Sequence, residues 1–214
     1  MEEMRAFFTA RAEGYDQHML EEVEGCSEGY SRMAQALPEL LQDILDVGCG
    51  TGLELEPIFQ RFPNLQVTGI DLTEAMLQRC KEKFPGKDLR LIQGDYRILD
   101  LGNACYDSVV SFQSLHHFNH PQKLEVYQKL FKALRPGGRL LQCDYMVETE
   151  QEEAYWMQEY HRLLQGQKEN ILFHYDIPFS IGHEQAVLQE AGFSSVELLW
   201  RQENTTLLSA EKRP

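Results

Sequence analysis

The chemistry legible in this chain begins at Asp46-Val47-Gly48-Cys49-Gly50-Thr51-Gly52, which directly follows an apolar run and precedes a helical pattern. Glycines clustered at such a junction let backbone N–H groups approach a ligand closely. Asp71 ends the next apolar run 23 residues after Gly48, near the ~20-residue interval at which an acid meets a ribose hydroxyl pair. Asp95, in Gln93-Gly94-Asp95-Tyr96, follows the third run and is placed to receive an adenine amino proton. Three successive strands thus end in or beside an acid, and ligands of open α/β sheets bind at those ends. An adenosine-containing ligand fits the set.

The sign of the charge selects which one. A dinucleotide fingerprint, G-x-G-x-x-G, would put its third glycine at position 53, which is Leu; the glycine stands at 52. Asp46 would repel a pyrophosphate unless a cation compensated it. S-adenosylmethionine (SAM) has no phosphate and carries a sulfonium and an ammonium, so the same carboxylate attracts it. His116 and His117 follow the fourth apolar run, at the mouth where a methyl acceptor would wait. An imidazole poised near neutrality can take a proton from an attacking N or O nucleophile. The plainer reading is that one histidine packs and the other caps the turn. Asp46 could likewise cap its own turn, and Cys49 reads as a small loop residue donating its backbone N–H rather than as a nucleophile, since no basic partner is evident.

These residues need a frame. The runs Ile44–Val47, Gln66–Ile70, Leu89–Gln93, Asp107–Phe112 and Arg139–Cys143 alternate with helical stripes. Thr73 is placed as an N-cap before Met76, Cys80 and Phe84, and Pro121 opens the stripe Leu124, Tyr127, Phe131, Leu134. Arg135-Pro136-Gly137-Gly138 stops that helix. Short apolar runs between helices predict a doubly wound α/β sheet with right-handed crossovers. Ser195–Trp200 and Thr205–Ala210 read as a closing hairpin. The expected plan is one domain over 1–214, with a helical cap at 1–40, a core at 41–145 and 181–214, and a variable substrate-side insertion at 146–180. The aromatics of that insertion suit an acceptor pocket; the other reading is a homodimer contact.

Composition sets limits. Of 214 residues, 34 are acidic and 20 basic, a net charge of −14 that disfavours a nucleic-acid track. Hydrophobic residues at 43% and charged ones at 25% suit a globular fold. No apolar run approaches the ~20 residues of a membrane helix, and the first residues lack the pattern of a secretion signal. Cysteines 26, 49, 80, 105 and 143 form no CxxC pair and an odd set, so neither a metal nor a disulfide framework is expected, and a reducing cytoplasm is the simplest compartment.

Taken together, the motifs resemble the class I SAM-dependent methyltransferases. The glycine loop matches their first motif, Asp71 their ribose acid and Asp95 their adenine acid. Asp107–Ser111 with Leu115-His116-His117-Phe118 is similar to their fourth strand and the segment after it, and Leu134–Gly138 to the turn before the fifth. Glu190-Ala191-Gly192-Phe193 with the hairpin resembles their closing elements. The resemblance covers about residues 40–145 and 183–212. It implies a Rossmann-like seven-stranded sheet, five parallel strands plus the hairpin with the last strand antiparallel, and transfer of the SAM methyl to a small molecule, leaving S-adenosylhomocysteine (SAH). Phe8, Arg11, Tyr15 and Asp16 resemble an F-x-x-R-A-x-x-Y-D pattern in which the tyrosine closes the site.

A second resemblance is to the enzymes that make carboxy-SAM, carried by Gly29-Tyr30-Ser31, Met76–Cys80 and the C-terminal segment. It implies Tyr30 against the cofactor with Gly48, Cys49, Gly50, Asp71, Leu72, Asp95 and Tyr96. That family has serine where this chain has Gly50, and its carboxylate-binding arginine aligns with Lys168-Glu169. With Tyr15, Asp46, Gly52, Met76 and Ser111 these residues complete the expected cofactor set. The functions left open are methyl transfer, modification of SAM itself, and a SAM-binding module without transfer chemistry.

Overall fold

The computed structural model describes residues 2–165 and 171–214. Helices α1 (Met4–Arg11), α2 (Tyr15–Glu21) and α3 (Cys26–Ala36) come first. There follow β1 (Asp43–Val47), α4 (Leu55–Arg61), β2 (Gln66–Asp71), α5 (Glu74–Lys83), β3 (Leu89–Gln93), β4 (Tyr106–Phe112), α6 (His120–Ala133) and β5 (Leu134–Tyr145). The chain ends with α7 (Glu150–Leu164), α8 (Ile181–Glu190), β6 (Ser195–Gln202) and β7 (Thr205–Glu211). The seven strands lie in the order β3-β2-β1-β4-β5-β7-β6. All pairings from β3 to β5 are parallel, and β7 runs antiparallel to both β5 and β6, as the motifs predict.

Adjacent apolar residues of a strand point to opposite faces, so a continuous run needs cover on both. Leu45, Val109, Leu140 and Leu208 pack with α6 and α8, while their neighbours Ile44, Val110, Leu141 and Leu207 pack with α3, α4 and α5. Capping explains where the helices start. Thr73 accepts from the Met76 N–H, and Asn119 with Gln122 forms a capping box ahead of α6, with Pro121 in its first turn. Two details differ from expectation. β3 passes to β4 without a helix, and β5 starts at Leu134, with Arg135–Gly138 bulged out of the ladder between the Tyr106 and Ser108 pairings. Contrary to expectation, Pro136 and the glycines do not stop α6, which already ends at Ala133 as Leu134 turns extended; they shape the bulge instead.

From β1 the chain winds outward through β2 to β3, then returns to β4 on the other side of β1. That reversal opens a crevice at the carboxyl ends of β1 and β4. The insertion and the N-terminal helices close over it together: Met4 N–H donates to Leu172, His174 N–H to Glu2, and Ile177 N–H to His116. A polar network lies beneath, between α6, α8 and β5. Lys123 Nζ stands 2.5 Å from Glu184 Oε2, Tyr127 and Gln142 also donate to Glu184, and Gln142 reaches Asp144. Lys123 and Glu184 are 1% and 0% exposed. Burial of that depth costs heavily unless every charge is partnered.

Candidate active site

The glycine loop turns on left-handed residues. Gly48 has φ +74°, and a Cβ there would lie 2.0 Å from Ser114 Oγ, so only glycine fits. Gly50 has room around it, a Cβ there meeting the Tyr15 ring edge at 3.7 Å and the Gly48 carbonyl at 4.0 Å. The loop's donors are not offered outward as the sequence suggests. Gly48 and Cys49 N–H both donate to Ile70 O, Gly50 N–H to Asp71 Oδ2 at 3.1 Å, and Gly52 N–H to Cys49 O. Among the described residues no donor is paired with the Gly48 or Gly50 carbonyl. The loop therefore presents acceptors.

Acids reinforce this. Asp46 is fully buried beneath the loop, and neither carboxylate oxygen has a hydrogen-bond partner. Burial, and then the neighbouring Glu54, push its pKa well up. Burial likewise lifts Glu54, itself 4% exposed, to about 8. Asp71 Oδ1 accepts from the Thr73 N–H and hydroxyl, which hold the carboxylate at the end of β2; burial raises it despite these bonds. Asp95 is already gripped by Arg97, whose Nε and Nη2 reach both its oxygens at 2.6–3.1 Å. Burial is outweighed there, and Asp95 stays ionised.

Of the expected cofactor residues, Tyr15, Gly48, Gly50, Asp71, Leu72, Met76, Asp95 and Tyr96 line one cleft, with Met4, Phe8, Gly94, Gln113, Ser114, His117, Phe118 and Leu172. Five lie behind its wall. Asp46 sits under the loop, Tyr30 is stacked on Phe112 with centroids 4.0 Å apart, and Ser111 is buried in β4 without a partner. Gly52 packs against Cys80 and Phe84, and Cys49 is buried against Gly69 with its thiol raised by Cys80 and by burial, leaving no reactive thiolate. Lys168 and Glu169 lie outside the described residues.

The roof comes from the N-terminus. Asp16 accepts from Thr51 of the loop and from Lys83 Nζ at 2.7 Å, which seats Tyr15 over Gly50. Phe8 packs edge-on against both Tyr15 and His117. Past Phe8, Tyr15, Gln113 and His117 the cleft opens into a second cavity of about 960 Å³, reaching His116, Tyr145, His174 and Asp176. That cavity is large enough for a small molecule.

His117 lines both spaces, and His116 lines the larger one. His116 Nδ1 is 2.5 Å from Asp144 Oδ1, and its Nε2 is 3.4 Å from Asp176 Oδ1. Burial would lower its pKa, but Asp144 and Asp176 outweigh that and hold it at about 10. Burial and the adjacent His116 charge depress His117, whose Nδ1 lies 3.2 Å from Tyr175 O and 3.3 Å from Asp176 Oδ1. His174, stacked on Phe7 at 3.5 Å, falls to about 4 through burial and the neighbouring His117. Sequence reasoning missed Asp176, since nothing in its spacing ties it to histidines 60 residues earlier. Gln113 and Ser114 could have been found, because they directly follow the strand that borders the crevice.

A family profile described as a methyltransferase domain matches residues 44–138. A carboxy-S-adenosyl-L-methionine synthase of Wolinella succinogenes is 30% identical over 183 residues, 79% of this chain and 75% of that protein. An uncharacterized methyltransferase of Mycobacterium bovis is 33% identical over 112 residues; the match takes in 52% of this chain and about half (55%) of that relative's length. Human N-acetylserotonin methyltransferase, solved with SAM, shares the fold at a TM-score of 0.71 and 15% identity, over 96% of this chain and 57% of that one. Among the described residues, no helix is long and apolar enough to cross a membrane.

Proposed function

Since the chain belongs to the class I SAM-dependent methyltransferases, we propose that it moves the SAM methyl group onto a small molecule held in the 960 Å³ cavity. One observation carries the choice of cofactor. The Gly48, Cys49, Gly50 and Gly52 N–H groups are spent within the fold, the Gly48 and Gly50 carbonyls face no donor, and beneath the loop lie Asp46 and Glu54, both lifted by burial. The carbonyl oxygens would repel a phosphate and suit a cation, and a cation held there would draw the buried acids toward ionisation. SAM supplies, when bound, an electrophilic methyl on a sulfonium with a neutral thioether as leaving group. Gly48–Gly50 would hold the methionine part, Asp71 the ribose, and Asp95 with Leu72, Met76 and Tyr96 the adenine. Phe8 and Tyr15 exclude water from above. The protein's remaining task is alignment of the acceptor, which can supply roughly 7–11 kcal/mol of the barrier. His117, kept neutral, presents its ring to the acceptor side.

The acids make this testable without knowing the acceptor. Glu54 titrates near 8 in the folded chain, above its ordinary 4.5, so it is largely protonated at neutral pH. Stability it contributes is full below pH 4.5 and declines as pH rises toward 8, because the unfolded chain ionises first. A cation over the loop favours ionisation, so SAM binding is expected to release protons at pH 7 and to tighten between about pH 6 and 8. Calorimetric heats should vary with the ionisation enthalpy of the buffer, and the variation should shrink in Glu54→Gln. Heats independent of buffer would contradict the assignment.

A second reading has the Wolinella relative in its favour: modification of SAM itself. Mass spectrometry separates the readings. Methyl transfer converts SAM to SAH when a metabolite extract is supplied; carboxylation gives a heavier SAM when prephenate is supplied. Tight SAM binding with neither product would leave a binding module.

A further inference from the structure

His116 Nε2, His117 Nδ1 and Asp176 Oδ1 belong to residues lining the larger cavity, and one ligand atom of each lies within 4.8 Å of the others. The spacings to the carboxylate, 3.4 and 3.3 Å, are long for N–H···O bonds, whose usual length is about 2.9–3.0 Å. They match another geometry. A tetrahedral zinc with bonds of about 2.0–2.1 Å holds its ligand atoms about 3.3–3.4 Å apart, whereas octahedral edges at the same bond lengths are about 2.8–3.0 Å. Asp176 Oδ1 is buried and has no hydrogen-bond partner.

The surroundings support ligation. A carboxylate only accepts, so the 2.5 Å contact to Asp144 keeps a proton on His116 Nδ1 and turns Nε2 toward Asp176, where a cation would take the place of the Nε2 proton. This is the outer-shell arrangement that orients metal-ligating histidines. Asp144 is itself anchored by the Leu115 and Tyr145 N–H groups and by Gln142. His117 Nδ1–H donates to Tyr175 O at 3.2 Å, a proton that a cation would displace, and His174 Nε2 lies 4.0 Å from Asp176 Oδ1. The remaining side faces the cavity.

We propose that these three atoms bind a divalent first-row cation, zinc by edge length, with an open position toward the acceptor. The cysteine spacing gives no reason to expect a metal, and these three residues show no motif either: two are adjacent histidines and the third lies 59 residues beyond His117. Resting on the methyl-transfer reading, the open position assigns the acceptor's class: a hydroxylated small molecule whose oxygen binds the ion as an oxyanion. Its hydroxyl proton passes to solvent, the oxygen forms the new O–C bond, and the C–S bond breaks with its electron pair retained by sulfur. His117 is then a ligand rather than a free base.

The test uses the full chain stripped with a chelator and titrated with Zn²⁺ alone, against a competing chromophoric chelator. One equivalent per chain is expected, weakened at least about 100-fold by Asp176→Asn and about 10–100-fold by Asp144→Asn. Both variants are near-isosteric, and circular dichroism checks their folding. The visible bands of the Co²⁺-loaded chain should report four-coordination and change in Asp176→Asn. Absence of stoichiometric binding, or binding indifferent to Asp176→Asn, overturns the site. SAM calorimetry on the same samples keeps the two readings apart: zinc bound without SAM leaves the ion site standing and the cofactor reading fallen, and the reverse result does the opposite.

Discussion

Asp71→Ala is expected to weaken SAM binding at least about 100-fold by calorimetry. The carboxylate would lose two hydrogen bonds from the ribose, each worth about 1.5–3 kcal/mol when a charged acceptor is involved. It would also release the Gly50 N–H, to which Asp71 Oδ2 is tied, and with it the turn of the loop. Asp71→Asn keeps the size and one acceptor, so its loss should be smaller. The comparison matters because Asp71 also anchors Thr73 at the start of α5. A thermal-shift measurement separates a disordered loop from a lost ligand contact. An Asp71→Ala chain that binds SAM at the original affinity would remove Asp71 from the site.

The largest effect on stability is expected at the Lys123–Glu184 pair. Glu184→Gln leaves the Lys123 ammonium buried without a counter-charge, which costs about 3–5 kcal/mol. For a chain of this length that corresponds to a fall in Tm of roughly 6–20 °C. Lys123→Met strands the carboxylate instead and should cost a similar amount. The double variant Lys123→Met with Glu184→Leu should recover part of the loss, since a buried pair replaced by apolar groups is often neutral. Recovery stays partial because Tyr127 and Gln142 would keep hydrogen-bonding groups that Glu184 now serves. A loss below about 1 kcal/mol in both single variants would show that water reaches the pair. The same network runs on through Gln142 and Asp144 to His116. Damage at Glu184 should therefore also loosen the candidate ion site, because the hydrogen bonds between the two are continuous.

How far the chain could be read follows from the range of the forces involved. The alternation of strands and helices, the cap at Thr73, Pro121 in the first turn of α6, and the closing hairpin were legible because each depends on residues within a few positions of one another. The glycine loop and the acids at successive strand ends were legible for the same reason: sheet topology carries the ends of β1, β2 and β3 to one edge wherever the pattern of runs appears. The direction of the loop's N–H groups was not. It depends on Ile70 and Asp71 lying alongside β1, a pairing that only the register of the sheet establishes.

Local order and the choice of a cationic nucleoside thus came from the amino-acid string alone, through periodicity, glycine at Gly48 and the sign of the charges. The tertiary structure decided which acids are buried, which face the cleft, and that Asp144 and Asp176 meet His116 from opposite sides. Those meetings join β5 and the segment after α7 to the loop after β4. Contacts between distant segments leave no periodic trace, because the packing that brings them together is a property of the whole fold.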